Sequence, residues 1–105
     1  AKNAAAARTN LGIAATSLYN GTLTSGSITF NYGNYNFYVI IGRPSSTASR
    51  ASLVVPKIML TTSAVSFQIA DESNYKSFNL SYSGSLVTLA IQGGNGQINR
   101  VFGIN

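Results

Sequence analysis

The chain has 105 residues with a formal net charge of +5, from seven Lys/Arg against two Asp/Glu, and it contains neither His nor Cys. Charged residues are only 9% of the total, against about 25% in an average domain, and Ser (14), Thr (9), Asn (11) and Gly (10) supply the polarity instead. These counts exclude a disulfide framework, a Cys/His zinc site and any Ser-His-Asp or Cys-His catalytic arrangement, and they argue against disorder and Glu/Lys-rich helical bundles.

Residues 1–16 differ from everything after them. Ala4–Ala7 are four consecutive alanines, the residue of highest helix propensity, and Gly12 lies where a helix would stop. So short a helix is marginal alone in water and needs a partner surface. The segment reads either as that helix or as a frayed end.

From Ser17 onward the hydrophobic period is 2, the signature of half-buried strands. The reading gives about eight strands: 17–23, 27–31, 35–42, 51–61, 64–70, 75–82, 85–92 and 97–104. Val65, Phe67 and Ile69 share a face, as do Phe78, Leu80 and Tyr82; Val87, Leu89 and Ile91 alternate with Leu86, Thr88 and Ala90. Ile98, Arg100, Phe102 and Ile104 are expected on one face of the last strand. Tyr35–Ile41 and Leu53–Leu60 are apolar on both faces, which suggests central strands or a second interface made by another chain. Pro56 cannot donate to a ladder, so its strand is an edge, is bulged, or bends there. Turns are expected at Ser25-Gly26, Gly33-Asn34, Ser83-Gly84 and Gly93–Gly96. Asn20-Gly21 is hairpin chemistry or an internal kink of the first strand. Turns spaced by 8–12 residues point to an all-β antiparallel sandwich. No apolar run approaches the ~20 residues that span a bilayer.

The candidate chemistry is that of binding, not catalysis. Asp71 and Glu72 are the only carboxylates, and adjacent strand residues point to opposite faces, so an acid/base pair is not expected. Nor is a metal site or a cofactor: Asp71 with Asn74 makes a poor hard-metal site, and Gly93–Gly96 lacks the features of a phosphate loop. The cations are scattered rather than run together, which speaks against nucleic acid. Arg43 and Arg50 bracket a Ser/Thr-rich loop and are the one local concentration. Tyr32, Tyr35 and Tyr38 gather near one Asn/Gly-rich turn, suited to an interface or to sugar stacking, or else simply to rimming a β core.

The segment Ala5–Thr16 (AAARTNLGIAAT) resembles a phrase that recurs in the tail fibres of tailed bacteriophages, between shaft and tip or between shaft repeats. The opening Leu18-Tyr19-Asn20-Gly21, the strand Tyr35–Ile41 and the ending Ile98–Ile104 (INRVFGI) resemble tail-fibre tips more loosely, with Phe102 where Tyr is more usual. The resemblance implies a C-terminal, receptor-binding tip on a virion, acting outside the host cell. It implies a homotrimer, intertwined or side by side, with residues 1–16 as a linker and helical collar and 17–105 as the β-sandwich tip. It supplies no catalytic residues. The expected partner is a bacterial surface glycan such as lipopolysaccharide, or an outer-membrane protein. A structural trimerisation cap without ligand and a monomeric carbohydrate-binding module are the other readings.

Eight consecutive antiparallel strands assign the loops. If the shaft joins at the N-terminus, the far end collects Thr24–Gly26, Arg43–Arg50, Asp71–Asn74 and Gly93–Gly96. The near end collects Tyr32–Asn34, Thr62–Ser63 and Ser83–Gly84. Binding residues concentrate on loops held by a rigid scaffold. The candidate receptor-binding residues are therefore Arg43, Ser45, Ser46, Thr47, Arg50, Asp71, Glu72, Asn74 and Asn95. Arg forks onto phosphate or carboxylate, and Asn reads sugar hydroxyls.

Overall fold

The computed structural model describes residues 15–105, which form eight strands and one 3-10 turn. The strands are β1 Ala15–Leu23, β2 Ser27–Asn31, β3 Phe37–Arg43, β4 Ala51–Pro56, β5 Val65–Ala70, β6 Tyr75–Ser83, β7 Leu86–Gly94 and β8 Gln97–Ile104. They make two four-stranded sheets of order β1-β8-β3-β4 and β2-β7-β6-β5. Every pairing is antiparallel. The expected all-β sandwich is present. The helical collar expected over residues 1–16 falls outside the described residues, except that Ala15 and Thr16 are instead the first residues of β1 and pair with Ile104 and Gly103.

The core lies between the sheets. Tyr38, Ile40, Val55, Ile98 and Val101 come from the first sheet, and Phe30, Ile69, Phe78, Leu80, Val87 and Leu89 from the second. Burying each large side chain contributes on the order of 2 kcal/mol. The period-2 pattern places β5, β6 and β7 as the sequence predicts. Two expectations require correction. The strand expected over 51–61 stops at Pro56 and continues as the 3-10 turn Lys57–Met59. Of the alternatives open for this run, the edge is the one found, and Val54 of β4 and Ile58 and Met59 of the turn are exposed. Ile98 does not share a face with Arg100, Phe102 and Ile104. A register shift opposite Ile41/Gly42 inserts Asn99, so Ile98 points into the core while the other three point out.

Irregularities in β1 fall between Ser17 and Tyr19 and between Asn20 and Leu23. Asn20-Gly21 is thus a kink within one strand, not a hairpin. The kinked β1 and the Pro-terminated β4 are the two edges of their sheet, and such features blunt an edge against further pairing.

At the near end the tyrosines pack on one another. Tyr35 meets Tyr38 edge-on at 5.9 Å, and Tyr32 stacks on Tyr82 at 4.7 Å. The Tyr38 hydroxyl donates to the Tyr32 carbonyl at 2.6 Å. Lys57 Nζ lies 4.0 Å over the Tyr32 ring and donates to the Gly33 carbonyl. Gly103 sits beneath Tyr35, and a Cβ there would come within 2.6 Å of the ring. Gly103→Ala should therefore lower stability by about 1–3 kcal/mol through overpacking, read as a lower urea midpoint with unchanged slope.

Burial, with smaller contributions from Tyr32 and Tyr35, pushes the Tyr38 hydroxyl up to about 12 from 10.0. A folded-state pKa above the unfolded one means that this stability is complete below pH 10 and lost as pH rises towards 12. Urea unfolding of wild type and Tyr38→Phe at pH 9 and pH 11 checks this. The variant should start about 1 kcal/mol lower for its lost hydrogen bond and should lose less stability between the two pH values.

Candidate functional site

Strand direction alternates without exception, so turns that follow odd-numbered strands gather at one end of the sandwich. The contacts there tie them together. Gly96 N–H donates to the Tyr75 carbonyl at 2.9 Å, and Asn95 Nδ2 donates to Asn74 Oδ1 at 2.6 Å. Gly96 also lies against the carbonyls of Arg43 and Pro44, where any Cβ would collide with backbone. The β7–β8 turn thus touches both the β3–β4 loop and the start of β6. Ala15 pairs with Ile104 at the opposite end.

Lys76 organises this end. It is 2% exposed, on the inner face of β6, and its Nζ donates to the carbonyls of Thr24 at 2.9 Å and Gly94 at 2.6 Å. Burial pushes its ammonium pKa down. One side chain therefore joins the β1–β2 turn to the β7–β8 turn from below. Removing a buried, bonded side chain leaves a cavity and two carbonyls without a donor. Lys76→Ala should cost about 2–4 kcal/mol in urea unfolding, and Lys76→Met, which keeps the volume, should cost less.

The candidate residues divide into those that build the loops and those left facing solvent. Asp71 builds: its Oδ1 accepts from the backbone N–H of Ser73 at 2.9 Å and Asn74 at 2.8 Å, closing the β5–β6 turn. Ser45 also builds: its Oγ accepts from Ala48 N–H at 3.2 Å. Arg43 Nη1 donates to the Ser46 carbonyl at 3.2 Å, so the Arg43–Arg50 loop has internal bonds. Asn74 and Asn95 hold each other. Arg50, Ser46, Thr47 and Glu72 are exposed. Neither Asp71 nor Glu72 forms a hydrogen bond or ion pair with Arg43 or Arg50 among the described residues. The two groups belong to different sheets, joined through the β7–β8 turn.

Sequence reasoning missed Arg100, because the register shift at Asn99 that turns it outward is not written in the alternation. It also missed Lys76, whose place in an otherwise apolar inward series (Lys76, Phe78, Leu80, Tyr82) is the signal for a buried lysine. Comparison of the chain with protein-family models, curated proteins and solved structures finds no match.

Proposed function

We propose that this chain is the receptor-binding tip of a bacteriophage or prophage tail fibre. In this reading it is a homotrimer on the virion that adheres to a host-surface polysaccharide or outer-membrane protein. The observation that carries the reading is the geometry of the ends. Four turns are bound together at one end, and Ala15 and Thr16, the described part of the segment that resembles a tail-fibre linker, lie at the other. A rigid sandwich with Ser, Thr, Asn and Arg on joined loops suits adhesion without catalysis.

The trimeric part of the reading draws on the outer face of the first sheet. Antiparallel partners share a face, so Phe37, Val39 and Ile41 of β3, Val54 of β4, and Phe102 and Ile104 of β8 lie side by side on it. An apolar outer face of this kind favours association. It equally favours the second reading, a structural trimerisation cap with no ligand. Three copies would also multiply a modest single-site affinity through effective concentration.

Two measurements test the reading. Light scattering on the purified chain should give about three times 11.0 kDa, and Val39→Asp with Phe102→Asp should reduce the mass to that of one chain. The trimer should bind host cells, and Arg43→Ala with Arg50→Ala should abolish binding while preserving the mass. A stable trimer that binds no host cell supports the structural cap instead.

A further inference from the structure

The chain carries seven cations, and their fates differ. Lys2 and Arg8 lie outside the described residues. Lys57 is engaged with Tyr32 and Gly33, and Lys76 is buried on two carbonyls. The remaining three, Arg43, Arg50 and Arg100, lie on or next to three adjacent strands, β3, β4 and β8. On the outer face of the first sheet Arg100 pairs with Ile41, two residues from Arg43 along β3. Such diagonal neighbours are about 7–8 Å apart. Gly42 pairs with Ala51 as the last rung of β3 and β4, so Arg43 and Arg50 flank that rung on either side of the hairpin.

Two of these guanidinium groups are positioned, and the third, Arg50, is exposed. Arg100 lies 4.4 Å over the Phe102 ring, and its Nη2 reaches Ser17 Oγ at 3.4 Å. Arg43 is held by the Ser46 carbonyl. Each guanidinium has five N–H donors; the Nε of Arg43 and of Arg100 is buried and has no acceptor among the described residues, so an outside anion is met by the terminal Nη groups. No carboxylate lies on this face, since both acids are in the β5–β6 turn of the other sheet. Gln97, paired with Arg43, and Asn20, paired with Arg100, add neutral hydrogen-bonding groups. Three like charges without a counter-ion repel one another, and a dianion or a row of acidic groups relieves that repulsion. The cluster lies at the loop-end rim of this face, with Arg100 directly beside Ile41 and Phe102.

We infer that Arg43, Arg50 and Arg100 form a binding site for the oxyanion of an acidic saccharide, a sugar phosphate or a uronate carboxylate, held by guanidinium forks. The assignment rests on the adhesive reading for its biological ligand and adds Arg100 to the site. Mannose 6-phosphate, glucuronic acid and mannose are the probes, titrated into the whole chain and followed by amide chemical shifts at low and moderate salt. The result expected is that one or both acids bind at least tenfold more tightly than mannose, with affinity falling as salt rises. Preference for the phosphate identifies a phosphorylated glycan as the source, and preference for the uronate an acidic polysaccharide. Arg100→Gln alone should weaken binding at least threefold, and the triple Gln variant at least tenfold. The triple Lys variant, which keeps charge but not the fork, should fall between wild type and the triple Gln variant. Equal binding of acids and mannose overturns the assignment, as does a folded triple Gln variant that binds like wild type. Host-cell adhesion by a wild-type chain that shows no preference for the acids overturns the anion site and leaves the adhesive reading standing. Anion preference without cell adhesion does the reverse.

Discussion

The unbroken alternation of strand direction is the constraint on which the rest of this structure depends. Most of the connections are short, and short connections force each strand to reverse the one before it. Each strand also either stays in its sheet or crosses to the other. With eight strands split between two sheets, the turns after β1, β3, β5 and β7 must share an end, and the turns after β2, β4 and β6 must share the other. One end can then be a continuous loop surface held from below by Lys76. The other becomes a tyrosine-packed base where Ala15 and Ile104, the first and last paired residues of β1 and β8, meet.

The two outer faces of the sandwich divide labour. On the second sheet, Ser27 and Thr29 of β2, Ser66 and Gln68 of β5, Ser77, Asn79 and Ser81 of β6, and Thr88 of β7 lie on the face away from the core. Ser66 Oγ donates to Asn79 Oδ1 across two of those strands at 2.9 Å. This is a surface made soluble by neutral hydrogen-bonding groups instead of charge. The first sheet has the opposite outer face, apolar over most of its area and basic at one rim. With so few charges, the hydroxyl-rich face carries most of the neutral polar groups, and the apolar face is the one that association would cover.

Much of this was legible in the sequence, because period-2 alternation and Gly/Asn turns are local signals. Phe78, Leu80 and Tyr82 announce β6, and Gly93–Gly96 announces the β7–β8 turn, without reference to anything distant. What escaped depends on non-local pairing. The doubly apolar run over Leu53–Leu60 fits a central strand or an edge with one uncovered face; Pro56 admitted the edge, and the strand order decides for it. The inserted Asn99 breaks the alternation of β8 in a way that no propensity records, and it moves Ile98 and Arg100 to opposite sides. At the site, the loops were legible but the roles within them were not. Asp71 and Ser45 are the residue types expected in a polar binding loop, and they are equally the types that close turns with their own side chains. Here they close turns.

The scarcity of acids links these features. In an average domain a cluster of three arginines would be threaded with Asp or Glu, and the local field would be small. This chain has two carboxylates, and the better placed of them, Asp71, is occupied by two backbone N–H groups. Charge complementarity therefore cannot be satisfied within the chain, and the field of Arg43, Arg50 and Arg100 is directed outward. Such a field steers an anionic partner to the rim and favours specificity and capture rate more than raw affinity. A weak, fast, repeated contact is the mode of attachment that a multivalent fibre can use, whereas a single tight site would require a depth of pocket that a flat sheet rim does not have.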